Sequence, residues 1–482
     1  MRKNFSAFHF DLYNNNDTFH ITCFNVQNLG DLHMIGASII TKSNICIVGV
    51  GYIGLPTALL AAKSGFNVHA YDTDSHKIAT LQQGITSICE QDLVDLLATS
   101  VKKSLLTFST TPLPHADFYV ITVPTPFLET KQADVSYVWS AVETICPLLK
   151  QGACIIIEST IPVFLTDAIA TFVKQLTGFV AGKDVFISHC PERVLPGNML
   201  YELVNNDRVI GGVTPACAEQ SALFYKNFVE GTLHMTTAKS AELVKLIENS
   251  SRDVQIALAN QIDQMCTTAG VDSREIIALA NQHPRVKLLQ PGCGVGGHCI
   301  AVDPWFLISA FPQSTQLLLA ARKINDERPN LIFNRIKTAL DKMLHESPTR
   351  HISIGIWGLT FKPNVDDLRQ SPALEIAQKL LSLNDHRITF HAVEPNVHPH
   401  HIQSLGFVVE TDPERSLELS DGIITLMKHA AFTQLPLHAL KQKTLIDACG
   451  LLYQAAKKHA ETITPYEAQM VHNVKKHQPT NH

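Results

Sequence analysis

The sequence predicts an α/β protein of two doubly wound domains joined by a long central helix, and three observations predict it. β-forming runs alternate with amphipathic stretches of helix length over residues 44–237. Residues 238–269 contain neither proline nor glycine and carry apolar side chains near helical spacing. Beyond residue 330 the alternation of strand and helix resumes. At 482 residues the chain is too long for one core, so several domains are expected.

Bulk composition narrows the function class. A hydrophobic content of 45%, a charged content of 17% and a formal charge of −5 describe an ordinary globular protein without the basic excess of a nucleic-acid binder. Phosphate-bearing ligands must therefore be held by local sites. The longest apolar runs, 153–157 and 317–321, fall far short of the roughly 20 residues that a membrane span requires. Eleven cysteines show neither a CxxC pair nor a regular spacing, which gives no zinc cage, no other metal centre and no disulfide framework. Reduced thiols and a cytoplasmic location are expected.

Residues 1–43 lack the apolar core and cleavage site of a signal peptide and are read as a disordered leader, with Met34 an alternative start. The first domain, 44–237, takes strands from the runs at 45–48, 68–72, 118–123, 153–158, 184–188 and 208–211, in a parallel sheet covered on both faces. Its first strand leads into Gly49-Val50-Gly51-Tyr52-Ile53-Gly54, after which a helix opens. Such glycines give a tight turn, let backbone approach a pyrophosphate and let helix pack on strand, while the helix N-terminus attracts phosphate charge. A lone glycine pattern is weak, but here a strand precedes it, a helix follows, and Asp72 ends the next strand about 20 residues on. This makes the domain Rossmann-like. An acidic residue at Asp72 accepts the ribose hydroxyls and repels a 2′-phosphate, so NAD is expected over NADP. The bland alternative is a helix N-cap, for which Asp74 is as good a candidate.

The central region, 238–330, opens with the long helix, a spine whose apolar stripe (Leu243, Leu246, Ile247, Val254, Ala257, Leu258, Ile262) suits a dimer surface. It ends with the run Gln290-Pro291-Gly292-Cys293-Gly294-Val295-Gly296-Gly297-His298-Cys299, followed four residues later by Asp303. A single cysteine is more often a small buried hydrophobe than a nucleophile. The glycines before Cys299 leave room for a substrate or cofactor to reach the backbone, and an i, i+4 spacing puts Cys299 and Asp303 on one face of a helical turn. The third domain, 331–465, is a second Rossmann-like unit with strands at 352–357, 387–393, 422–426 and 444–447. Residues 466–482 read as a frayed tail.

From residue 45 to 450 the chain resembles the UDP-glucose/GDP-mannose dehydrogenase family. Beyond the glycine turn, the likeness rests on Val123-Pro124-Thr125-Pro126, Glu158-Ser159-Thr160-Ile161-Pro162, Pro191-Glu192, Asn206-Asp207-Arg208, the run from Ala241 to Asn249 that includes Lys245, the Cys299 loop, and the run from Gly358 to Arg369. The resemblance implies an NAD-dependent enzyme that oxidises the primary alcohol of a UDP-sugar twice, to a carboxylate. Cys299 would pass through a thiohemiacetal and a thioester. Lys245 and Asn249 would stabilise an alkoxide or an ordered water, Asp303 would orient that water, and Glu192 would be the general base for thioester hydrolysis.

For the cofactor, the resemblance implies Gly49, Gly51, Tyr52, Ile53, Gly54, Asp72, Lys77, Thr125, Thr160 and Arg369. For the substrate it implies Arg193, Val194, Lys245, Asn249, Arg252, Gly296 and Lys362, with Arg285 reaching the substrate of a neighbouring subunit. Several of these residue types are more often solvated surface, and Lys362 with Arg369 around Asp366-Asp367 also reads as a local ion-pair loop. Arg208 is read as structural. The likeness is greatest to the branch acting on N-acetylated UDP-hexosamines, UDP-N-acetyl-D-mannosamine first, because Pro196 and Val302 stand where the UDP-glucose enzymes carry glutamate and lysine. Phe164 stands where relatives carry glycine. Three rivals remain open: oxidation of UDP-N-acetyl-D-glucosamine or another UDP-sugar, a two-electron hydroxyacid dehydrogenase, and a non-catalytic nucleotide-binding protein. The product would serve cell-surface polysaccharide synthesis, and a homo-oligomer of at least two chains is implied.

Overall fold

The computed structural model describes residues 11–14, 17–20 and 43–451, apart from 89, 127, 129, 130, 195, 196, 298, 347, 348 and 436–442. Pro196, His298 and the expected tail lie outside the described residues. The leader, expected to be without structure, carries an antiparallel hairpin of β1 (Asp11–Asn14) with β2 (Asp17–His20).

The first domain is one eight-stranded sheet of β3 (Asn44–Val48), β4 (Asn67–Tyr71), β5 (Leu106–Ser109), β6 (Phe118–Ile121), β7 (Cys154–Ile157), β8 (Phe186–His189), β9 (Arg208–Gly212) and β10 (Leu233–Thr237). Their order across the sheet is β10-β9-β8-β7-β6-β3-β4-β5. Alternate residues of the inner strands feed opposite cores. Ile45, Ile47, Val68, Val120 and Ile156 enter one, and Cys46, Val48, Ile121, Ile155 and Ile187 enter the other. Both faces are thus dry, which is why these strands read as continuous apolar runs. Each fully buried isoleucine contributes about 1.5–3 kcal/mol.

The expected all-parallel sheet needs one correction: β9 runs antiparallel to β8, paired through Ser188 with Gly212 and His189 with Gly211. The run at 208–211 carries no signal of direction, because an antiparallel strand buried on both faces has the same composition as a parallel one.

The long helix spans Ala238–Ala269, 32 residues or about 48 Å at the helical rise. Thr237 caps its first turn by accepting from the Ser240 N–H, and Gly270, at φ +72°, ends it in the left-handed conformation. A second long helix, Gln316–Glu346, runs straight through the expected boundary at 330, with Pro329 inside it. Proline in a helix interior costs about 3 kcal/mol. Here the buried ring packs against the glycine loop that precedes Cys299, and a ladder of buried polar contacts ties the two long helices together.

The last domain is a parallel sheet in the order β13-β12-β11-β14-β15, built from β11 (Ile352–Trp357), β12 (Ile388–Val393), β13 (Val408–Val409), β14 (Gly422–Thr425) and β15 (Thr444–Asp447). In both sheets the chain winds outward from a central strand, β3 or β11, and then reverses to its other side at β6 or β14. That reversal opens the crevice in which α/β proteins bind nucleotides.

Candidate active site

The glycine turn after β3 fits a dinucleotide residue by residue. Gly49 takes φ +95°, which lets the chain turn sharply off the strand. A Cβ on Gly54 would lie 1.9 Å from the Gly49 carbonyl oxygen, so helix and turn pack too closely for any side chain. A Cβ on Gly51 would meet nothing within 4 Å, leaving an open face for a pyrophosphate. The following helix, Gly54–Lys63, has no side-chain cap at Ile53; the Leu55 N–H donates to the Gly51 carbonyl at 3.1 Å and Pro56 has no N–H, so what this helix end offers an anion is chiefly its dipole.

Asp72 accepts from the Val50 N–H at 2.9 Å and from Lys77 Nζ at 2.8 Å, which orients its carboxylate at the mouth of the turn. Asp74, the rival for the capping role, accepts from the Lys77 N–H and caps its own helix, so that helix needs no cap from Asp72. Thr125 and Thr160 follow β6 and β7, on the crevice side of the sheet. In the second sheet Glu394, just past β12, similarly accepts from the Leu359 and Thr360 N–H groups. The buried imidazole of His429 donates to it, so that carboxylate is already satisfied by protein.

Of the described cysteines, Cys299 alone is exposed. Its carbonyl accepts from the Val302 N–H at 3.0 Å and the Asp303 N–H at 2.8 Å, so a helical turn does start there and Asp303 opens the helix Asp303–Ala310. The glycine run before it is gripped from both long helices. Asn260 Oδ1 accepts from the Gly292 N–H, while Arg328 Nε donates to the Gly292 carbonyl and its Nη2 to Asp263 at 2.6 Å. Protein, not ligand, explains the glycines that follow. A Cβ on Gly296 would sit 2.3 Å from the Gln370 carbonyl oxygen, and one on Gly297 would strike the Phe361 ring. Gly296 and Gly297 are thus required by packing on the side where a Cβ would stand, whereas a Cβ on Gly292 would meet nothing within 4 Å.

Electrostatics bring the predicted chemistry together. Crowding by protein and the Asp303 carboxylate push the Cys299 thiol up to about 11, against the pull of Lys245, and the fields of Glu192 and Arg369 also reach it. Burial raises Glu192 to about 7, opposed by Lys245 and by Arg208. Burial also raises Asp303 to about 6, while a hydrogen bond from Asn249 Nδ2 at 2.5 Å and the charge of Lys245 pull it back. Glu192, Lys245, Asn249 and Asp303 therefore form one coupled set around the thiol. Lys245 and Asn249, one helical turn apart, stand on the same face of the long helix. Beneath them, burial and then Lys245 hold His189 down to about 3, so it is neutral.

Other expected residues are committed elsewhere. Arg193 makes a bidentate pair with Glu248, at 3.1 and 2.6 Å, and also donates to the Asp207 carbonyl. The Val194 N–H donates to Glu192 Oε1, shaping the loop instead of facing outward. Arg369 is bound bidentately by Asp367, so the ion-pair reading holds for that half of the clamp. Its charge nevertheless reaches Tyr52 in the cofactor turn. Burial lowers Lys362, and Glu202 opposes the shift. Arg252 and Arg285 are exposed, with no side-chain hydrogen bond among the described residues. Arg208 is structural as expected: it is buried, pairs with Glu158 and lies over the Tyr225 ring.

Sequence reasoning assigned no role to the buried acids Glu242, Glu158 and Glu90. Glu242, on the long helix, accepts from the Phe164 and Thr166 N–H groups and from the Thr166 hydroxyl, fixing the cofactor loop. Glu158 accepts from Thr57, Tyr225 and Arg208. Glu90 bridges the glycine turn and the Glu192 loop. Glu158 and Glu242 lie in segments that carry the resemblance, and Glu90 was marked only by its place in a short polar break.

Comparison with known proteins identifies the family. Residues 43–229, 239–327 and 355–454 match the NAD binding, central and UDP binding domains of the UDP-glucose/GDP-mannose dehydrogenase family. The UDP-N-acetyl-D-mannosamine dehydrogenase of Escherichia coli (strain K12) is 40% identical over 418 residues, 85% of this chain and 99% of that protein. An NDP-N-acetyl-D-galactosaminuronic acid dehydrogenase of Ralstonia nicotianae is 41% identical over 416 residues, covering 84% and 96%. Among solved structures, a UDP-D-ManNAc dehydrogenase from Pyrococcus horikoshii superposes with a TM-score of 0.76 at 35% identity, over 85% of this chain and 96% of that one.

Proposed function

The chain belongs to the UDP-glucose/GDP-mannose dehydrogenase family, and from that premise we propose that it oxidises UDP-N-acetyl-D-mannosamine to the corresponding uronate through a thioester on Cys299. It is an NAD-dependent nucleotide-sugar dehydrogenase. The observation that carries the proposal is the coupling of Glu192, Lys245, Asn249 and Asp303 about the one exposed described cysteine.

The glycine turn and Asp72 would hold NAD, which when bound would supply the hydride acceptor for each oxidation. In the first, a water held by Asp303 and Lys245 takes the proton of the C6 hydroxyl as the aldehyde forms. Cys299 Sγ then adds to the aldehyde carbon, its proton passing to the carbonyl oxygen, and a thiohemiacetal results. Lys245 and Asn249 stabilise the oxyanion, and loss of the second hydride with the hydroxyl proton leaves the thioester. Glu192 takes a proton from the water that attacks the thioester, the C–S bond breaks, and the acid leaves while the sulfur is reprotonated.

Two relatives of equal similarity differ in the sugar, which gives a second reading: an N-acetylgalactosamine-type nucleotide sugar. Purified enzyme with NAD, offered UDP-N-acetyl-D-mannosamine, UDP-N-acetyl-D-glucosamine and UDP-N-acetyl-D-galactosamine, separates them by product mass and kcat/KM. The proposal expects the mannosamine substrate to lead by at least about tenfold, and a lead by either other sugar overturns it.

The same reading includes a homodimer through the long helix. Of the expected stripe, Leu246 and Ala257 are buried within the chain, with Leu243 packed against the same core as Leu246, whereas Ile247 and Leu258 are exposed and, with Met265, return at spacings of 11 and 7 residues to one helical face. Val271, Ile276 and Leu279 extend the apolar surface. On the far side of such an interface, the exposed Arg285 would reach the neighbouring subunit's substrate. Among the described residues no helix is long and apolar enough to cross a membrane, and the free thiols suit a reducing, cytoplasmic setting.

A further inference from the structure

Glu90 stands in the N-cap position of the helix Gln91–Lys102 yet makes no cap bond to it. Its buried carboxylate reaches instead across more than a hundred residues, accepting from the Gly197 N–H at 2.7 Å and the Met199 N–H at 2.9 Å. Those groups open the helix Met199–Asn205, whose own N-cap residue, Asn198, supplies no side-chain bond. The segment they terminate carries Glu192.

The third partner of Glu90 is the Tyr52 hydroxyl, donating at 3.3 Å from the middle of the cofactor turn. Burial and the neighbouring carboxylates of Glu90, Asp366 and Glu192 raise the Tyr52 phenol, which keeps it protonated as a donor. One carboxylate therefore ties the turn that holds the dinucleotide to the loop that holds the hydrolytic base.

We propose that Glu90 is a positioning residue for thioester hydrolysis, joining the Glu192 loop to the dinucleotide turn through Tyr52 so that both stand in register on the substrate. This rests on the reading of Glu192 as the hydrolytic base. A Glu90→Gln amide offers one oxygen and an NH2 group to two backbone N–H donors, so one charge-assisted bond becomes a clash of donors. A defect of that size slows the step it aligns by roughly tenfold to a hundredfold.

Full-length Glu90→Gln, Tyr52→Phe and Glu192→Gln are to be mixed rapidly with NAD and UDP-N-acetyl-D-mannosamine, following NADH and the intact mass of the protein. Glu90→Gln is expected to keep the first-turnover burst of NADH within about twofold, lose roughly tenfold or more in steady-state rate, and accumulate the acyl adduct on Cys299. Tyr52→Phe, which leaves both backbone bonds in place, falls between it and the parent. Equal losses of burst and steady state in Glu90→Gln, the mark of a purely structural cap, overturn the proposal. So does an unchanged ratio of the two in both variants. Should Glu90→Gln not fold, the ratio in Tyr52→Phe decides alone. If Glu192→Gln itself accumulates no adduct, the reading of Glu192 fails, and this proposal with it.

Discussion

Glu192 gives the most quantitative test of the site. Burial raises its carboxyl to about 7, and the cations Lys245 and Arg208 keep it from rising further. A general base works only when ionised. For a group titrating near 7, the ionised fraction climbs from about one tenth at pH 6 to about nine tenths at pH 8, roughly tenfold in rate. Hydrolysis of the thioester is therefore expected to rise about tenfold over that interval, with its midpoint near 7. Glu192→Gln removes the base and should cost about 10²- to 10⁴-fold in the same step while the first hydride transfer survives. Pre-steady-state NADH traces at several pH values, with intact-mass detection of the acyl adduct, measure both. A hydrolysis rate flat between pH 6 and 8, or a variant that turns over at the parent rate, would refute the assignment of Glu192.

Phe164 holds φ +77°, a conformation that costs an L-residue about 1–2 kcal/mol. Phe164→Gly and Phe164→Ala both lose the ring contact with Phe311, so their difference isolates the backbone: the glycine variant should be more stable by about 1 kcal/mol in denaturant unfolding, and equal stabilities would remove the strain. Arg328→Met leaves Asp263 buried with Arg335 as its remaining cation, and breaking such a pair costs about 3–5 kcal/mol. Burial alone would raise Asp263, but Arg328 and Arg335 outweigh it and hold the carboxyl well below its usual range. That contribution is present above the ordinary aspartate pKa and is lost as pH falls through the lowered one, so the gap between parent and variant should narrow in acid. Leu258→Glu places a charge on the exposed stripe of the long helix and should yield a monomer in sedimentation; an unchanged oligomer would move the interface elsewhere.

Legibility in the sequence followed the physics of each segment. Strands buried on both faces announced themselves as apolar runs, so β3, β6, β7, β11 and β14 were readable, whereas β10, with His234 and Met235 exposed, was not. The helix Ala238–Ala269 was legible because no breaker interrupts it, and Gln316–Glu346 was hidden by a proline whose cost is met by tertiary packing. At the site, spacing placed Cys299 and Asp303 on one helical turn, but the nucleophile role of Cys299 came through resemblance. The roles of Glu192 and Lys245 came through resemblance, since nothing local distinguishes them from surface charges. Glu90 and Glu242 were illegible because both act on backbone N–H groups distant in sequence. The glycines at 296 and 297 were visible, but their reason was not: they admit Gln370 and Phe361 of the last domain.

The central claim is a double oxidation through Cys299, and the stoichiometry of a limiting amount of UDP-N-acetyl-D-mannosamine tests it most directly. The intact enzyme should release two NADH per sugar, with the uronate as the product. Cys299→Ser should form no acid while still binding NAD. One NADH per sugar from the intact enzyme, or uronate formed by Cys299→Ser at the parent rate, would contradict the thioester route.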